Sequence, residues 1–212
     1  MRLVIIGAHL RREDVEPLAV AVPAAEVFLS AVEVADDQPL GDRELLLRVA
    51  GIREQLLERA TFIAIRYGFA ASSPAEAAAK CAAHADGWRH VLEENRDCVE
   101  MTIKIAASSP MPRPDRRQFT SGAAYLKALH EATSAASVDE SFRDAVEQRL
   151  VPLSVRHRWV HRDNASLEFV ALVRRERLDD VRAAGEALRA TRVPFLLSGP
   201  WPLEVFADDD RQ

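Results

Sequence analysis

The 212-residue chain has two cysteines, Cys81 and Cys98, too few for a disulfide scaffold, and a reducing cytoplasm is the compartment this usage fits. It also lacks a long unbroken apolar run. The most apolar stretch, Leu18 to Val34, is interrupted by Pro23 and Glu26, short of the roughly 18 residues that a membrane-spanning helix needs. The opening MRLVIIGAHLRRED meets charge at once and offers no small-residue cleavage site, so it reads as a first strand and not a secretion signal. Positive charge is not in excess either. With 28 Lys and Arg against 33 Asp and Glu, the formal net charge is −5, which leaves no broad footprint for nucleic acid or an anionic membrane.

Catalytic signatures are missing in the same way. After IIGAHLRR opens like a dinucleotide fold, His9 and Arg12 stand where further glycines must let the backbone approach a pyrophosphate. His161-Arg162-Asp163 has neither the glycine-rich loop nor the metal-binding motif of a kinase around it. Cys81, His84, His90 and Cys98 match no standard zinc spacing, and His157 and His161 on one strand face suggest no third ligand. There is no Gly-x-Ser-x-Gly elbow, and the acidic pairs Asp36-Asp37, Glu93-Glu94 and Asp179-Asp180 and the tail Asp208 to Asp210 read as caps or solvated charge. The expectation is no enzyme, and no catalytic, metal or cofactor residue.

What is present is an α+β pattern. Leu3–Ile6 and, after a turn at Pro23, Ala25–Val34 read as extended, and Asp42–Ala60 places Leu45, Leu46, Val49, Ile52, Leu56 and Leu57 on one helical stripe behind an aspartate cap. Thr61–Ala70 is a β-branched and aromatic strand, followed by a helix from Pro74 towards Arg96 that buries Ala78, Cys81, Trp88 and Leu92, with a possible break at Gly87. Val99–Ile105 alternates as a strand. A surface loop over Ala107–Arg117 leads to helical pieces at Gly122–Ala132 and Val138–Leu150. Leu153–His161 and Ser166–Arg174 form a hairpin turning at Asp163-Asn164, Arg177–Ala190 is an amphipathic helix, and a last strand runs into SGPWPLEVF. Two small domains are expected, 1–97 and 98–212. The second follows the βαββαβ order of a ferredoxin-like sandwich, with helices on one face of an antiparallel sheet.

Four stretches in order, IAIRYG (63–68), VEMTIKI (99–105), SGAAYL (121–126) and SGPWPLEVF (198–206), resemble the gas vesicle GvpL/GvpF family. The resemblance covers the chain from about residue 40 to its end. It singles out Arg66, Gly68, Glu100, Lys104, Gly122, Tyr125, Gly199, Pro200, Trp201 and Pro202 as family-motif positions, structural or partner-binding. Ala64, Met101, Thr102, Leu203 and Glu204 depart from the usual residues. The resemblance implies a cytoplasmic, non-enzymatic accessory protein associated with gas vesicles. Its implied partners are the hydrophobic major shell protein, bound during vesicle nucleation, and other accessory proteins.

Two structural expectations follow for the motif residues. Arg66 and Glu100 on neighbouring strands would form a buried or half-buried pair, and Trp201 would be an anchor packed behind a proline-fixed kink, or else a partner contact if exposed. A rival reading, a small-molecule sensor or regulatory module, rests on the range of functions that ferredoxin-like sandwiches carry.

Overall fold

The structure, a computed structural model, describes residues 1–106, 114–134, 140–163 and 166–207. Much of the expected loop at 107–117, the start of the helix expected at Val138, Asn164 of the expected turn and the acidic tail 208–210 lie outside the described residues. The chain divides into two compact units, Met1–Glu100 together with the segment from Pro200 onward, and Met101–Gly199. It therefore crosses from the first unit to the second after Glu100 and returns after Gly199.

The first unit is built on β1 (Arg2–His9), in which every residue from Leu3 to His9 is buried. Burial on both faces is why this strand reads as a continuous apolar run and not an alternating one. β2 (Val20–Ala24), β3 (Val27–Val34), β4 (Ile63–Ala64) and β5 (Ala70–Ala71) complete its sheet, in the order β2-β3-β1-β4 with β5 also on β1. The expected Ala25–Val34 segment is thus one arm of a hairpin. Ala25 (φ 51°) lies in its turn, while Pro23, expected in a turn, lies inside β2. β2 is an edge strand, where a missing N–H breaks no interior ladder.

The expected strand Thr61–Ala70 is instead two short bridges on one side of β1, at Ile63–Ala64 and Ala70–Ala71. Between them the chain leaves the ladder through Arg66, Tyr67 and Gly68, and Gly68 holds φ 97°, a region that disfavours side chains. Phe62, just before β4, packs so closely on β1 that a Cβ on Gly7 would meet its ring at 2.6 Å.

Three helices accompany this sheet. α1 (Arg12–Val15) is a single turn. α2 (Arg43–Arg59) starts at Asp42, whose carboxylate accepts from Leu45 N at 2.9 Å, and buries Leu45, Val49, Leu56 and Leu57, leaving Leu46 exposed. α3 (Pro74–Glu94) starts at Ser73, whose hydroxyl accepts from Glu76 N at 3.1 Å, and runs through Gly87 without a break. It buries Cys81 and Leu92 as expected, but Ala77, Ala85 and Val91 take the inner places where Ala78 and Trp88 are only half-buried.

The second unit contains β6 (Cys98–Ala106, entering from the first unit), α4 (Gly122–Ser134), α5 (Glu140–Leu150), β7 (Arg156–Asp163), β8 (Ser166–Arg174), α6 (Leu178–Leu188) and β9 (Phe195–Trp201). Its sheet order, β7-β8-β6-β9, is the ferredoxin-like arrangement, in which the hairpin partner β8 lies between β6 and β7. Met101, Ile103 and Ile105 of β6 and Phe169, Ala171 and Val173 of β8 meet Phe142, Val146 and Leu150 of α5 and Val181 and Leu188 of α6. α5 and α6 therefore form the helical layer. Trp159 on β7 packs edge-on to Phe169, with ring centroids 5.1 Å apart, and donates its indole N–H to Glu147 Oε1 at 2.7 Å.

The first unit seals a histidine in its core. His9 is fully buried, stacks on Phe62 at 4.9 Å and lies with Nε2 3.0 Å from Ser30 Oγ. Burial lowers its pKa from 6.5 to about 3, so the folded chain holds it neutral. Between those values the unfolded chain binds the additional proton. The contribution of neutral His9 to stability is therefore complete above 6.5, falls by about 1.4 kcal/mol per pH unit on acidification, and levels off below about 3. Urea unfolding of the parent and of His9→Gln between pH 7 and pH 4 should show a shallower pH dependence in the variant, and identical slopes would contradict this assignment.

Candidate interaction site

The quoted end of the chain, SGPWPLEVF, spans both units. β9 ends at Trp201, and Gly199 within it has φ 119°, where a Cβ would be strained. Pro202 has no N–H to donate, and ladder bonding resumes at Leu203. Leu203 N donates to Phe62 O at 2.9 Å, Ala64 N donates to Leu203 O at 3.0 Å, and Leu203 bridges Ile63 in parallel. Leu203, Val205, Phe206 and Ala207 are all buried. Burying side chains the size of leucine, valine and phenylalanine contributes about 1.5–3 kcal/mol each.

Glu100 fixes this segment. The residue is 3% exposed, and its Oε1 accepts from both Glu204 N and Phe206 N at 2.9 Å. Burial pushes its carboxyl pKa up, while the backbone N–H groups of Phe206, Glu204 and Val205 pull in the opposite direction. Arg53 of α2 stands at the break between β4 and β5, donating to Ile6 O at 3.1 Å and to Ile65 O. Burial lowers its pKa, and the charge of Glu204 opposes that shift.

The motif residues do not gather into one cluster. Arg66 is exposed and does not pair with Glu100, contrary to expectation, because the carboxylate is occupied by backbone N–H groups and the Arg66 loop turns out of the ladder. That loop is well held: Tyr67 OH donates to Leu40 O at 2.6 Å, and Lys80 Nζ donates to Ala70 O at 3.0 Å. Lys104 reaches Glu168 across β6 and β8 at 3.4 Å. Ser121 Oγ accepts from Ala124 N at 3.1 Å as α4 begins at Gly122, and Tyr125 sits edge-on to Phe119 with the Arg116 guanidinium 5.7 Å from its ring. Trp201 is 49% exposed and so is not the expected buried anchor. Leu203 occupies the core two residues later. Met101, one of the departures from the family pattern, is a core residue of the second unit.

Sequence reading missed Arg53, Leu196 and the core role of Leu203–Phe206. The alternation in Phe195-Leu196-Leu197 was the available signal for Leu196, with Phe195 and Leu197 packed inward and Leu196 60% exposed. A cavity of about 370 Å³ in the first unit is lined by Arg11, Asp14, Glu26, Arg89, Glu93 and neighbouring residues. Its charges largely answer one another, Arg11 pairing with Asp14 at 2.7 Å and Arg89 with Glu26 at 2.6 Å. Among the described residues no group of three or more His, Cys, Asp or Glu is placed to hold a metal, and no helix is long and apolar enough to cross a membrane.

These features define an α+β protein with two antiparallel sheets. Residues 11–207 match the family described as gas vesicle synthesis protein GvpL/GvpF, and the chain belongs to that family. Its structure is similar to the crystal structure of gas vesicle protein GvpF from Microcystis aeruginosa (TM-score 0.72, 11% identity, 97% of this chain and 98% of that one covered). It is also similar to that of GvpF from Anabaena sp. PCC7120 (TM-score 0.67, 14% identity, 97% and 98% covered). At these identities the likeness concerns the fold. A comparison with curated proteins gives no match.

The Glu100 clasp separates two substitutions. Glu100→Ala leaves the buried N–H of Phe206 unpaired, at a cost of about 1–3 kcal/mol, and that of Glu204, part-buried, at less, whereas Glu100→Gln keeps an acceptor oxygen in place without a buried charge. Chemical denaturation should find Glu100→Ala clearly destabilised and Glu100→Gln near the parent. Equal stability of parent and Glu100→Ala would show that the clasp does not hold the segment.

Proposed function

We propose that this chain is a non-enzymatic gas vesicle accessory protein that binds the hydrophobic shell protein as vesicles nucleate and grow. Membership of the gas vesicle synthesis family carries the reading. Its physical support is an uncharged edge strand, β9, with Leu196 and Trp201 exposed. An apolar shell subunit needs its own strand edges and apolar patches covered until it joins the wall, and an open apolar edge is suited to cover them. On this reading the protein works in the cytoplasm in association with gas vesicles, and other accessory proteins are further partners. The cavity of the first unit does not favour the sensor alternative, because two of its arginines, Arg11 and Arg89, are engaged by its own carboxylates.

Co-expression of the tagged full chain with a gas vesicle shell protein should yield a complex on affinity capture, and deletion of the gene in a vesicle-forming host should impair vesicle formation. Normal vesicles in the deletion strain together with no captured complex would overturn the reading.

A further inference from the structure

The two end strands of the second unit's sheet are unlike each other. β7 reads Arg156-His157-Arg158-Trp159-Val160-His161-Arg162-Asp163, and charge of this density guards an edge against pairing. β9 reads Phe195-Leu196-Leu197-Ser198-Gly199-Pro200-Trp201 and has no charged residue. Its inward side is fixed. Phe195 lies 5.5 Å from the ring of Phe142, and α6 approaches so closely at Gly185 that a Cβ there would stand 2.5 Å from Leu197 Cδ2. Leu196 points away from that packing, 60% exposed. Pro194 and Pro200 bracket the segment Phe195–Gly199, so the stretch along which a further strand could pair, through the alternate backbone groups that face away from β6, is short and defined.

Charge lies at one end of this stretch. A hollow of about 310 Å³ beside the start of β9 is lined by Arg189, Arg192, Val193, Pro194 and Phe195. Arg189 is engaged, paired with Glu186 at 2.7 Å and placed 5.7 Å from the Phe195 ring. Arg192 is exposed, sits at φ 60° where the turn after α6 ends, and makes no ion pair among the described residues. An apolar strand edge with a cation at one end is complementary to an extended apolar segment carrying a carboxylate at the matching end.

We infer that the outer edge of β9 is the docking surface for the shell protein, which adds an extended apolar strand alongside Phe195–Gly199 with a carboxylate placed next to Arg192. This inference rests on the function proposed above and adds to it the surface, the mode of pairing and the chemistry of the partner segment. Strand addition supplies backbone hydrogen bonds, Leu196 and Trp201 supply apolar contact, and Arg192 sets which end of the partner strand lies where.

The test captures untagged shell protein on the tagged full-length chain, comparing the parent with Leu196→Lys, Trp201→Ser, Arg192→Glu and, as a matched control, Leu47→Lys at an exposed position of α2. Leu196→Lys should lower capture about ten-fold or more, Trp201→Ser and Arg192→Glu several-fold, and Leu47→Lys should bind like the parent. Thermal melting is measured for each, and if Leu196→Lys fails to fold, Trp201→Ser and Arg192→Glu decide. Capture by the parent with undiminished capture by folded edge variants overturns the docking surface and leaves the proposed function standing. No capture by the parent overturns both. Sedimentation in which the parent self-associates and Leu196→Lys is monomeric assigns the edge to a second copy of this chain and also overturns the inference.

Discussion

The carboxylate of Glu100 accepts hydrogen bonds from the backbone of Glu204 and Phe206, residues more than a hundred positions further along the chain. The path of the second unit depends on that contact. The chain leaves the first unit immediately after Glu100, builds a complete ferredoxin-like sandwich, and returns through Gly199 and Pro200 to deliver Leu203, Val205 and Phe206 into the first unit's core. A buried carboxylate without donors is expensive, and an unpaired buried N–H group is expensive too. Each satisfies the other, so the segment Leu203–Phe206 is held by hydrogen bonds as well as by apolar burial.

This constraint also explains the composition of the terminal motif. Gly199 takes a backbone conformation that other residues adopt only under strain, and Pro200 and Pro202 limit the torsions on either side of Trp201. The result is a short passage from β9 to the bridge that Leu203 makes with Ile63 of β4. Trp201 is left half-exposed in the middle of it. In the first unit, Arg53 has a related role, donating to the carbonyls of Ile6 and Ile65 where the edge is interrupted to form the Arg66 loop.

Much of the fold was legible in local signals. The cap at Asp42, the start of α3 at Pro74, most of the apolar stripe of α2, and the strand and helix order of the second unit all derive from short-range rules that act the same way in any protein. The failures are long-range. Pro23 reads as a turn until its strand is known to be an edge, and Thr61–Ala70 reads as one strand because β-branched residues on both sides hide a break at Arg66–Gly68. Glu100 looked like the partner of Arg66 because sequence displays charged side chains and not backbone N–H groups. Leu203–Phe206 looked like a continuation of the last strand because the same apolar pattern serves in either sheet. Of the candidate site, the motif positions could be named, but which of them face inward depends on these tertiary contacts.

The central claim is that Leu203–Ala207 is an integral part of the first unit and not a loose terminus. Native-state hydrogen exchange resolved to this segment tests it most directly, because the amides of Leu203, Glu204 and Phe206 are hydrogen-bonded to Phe62 and Glu100. The account predicts that these amides are protected to about the same degree as those of β1 and exchange only when the first unit unfolds. Exchange at the rate of an unstructured peptide, with β1 still protected, would contradict it.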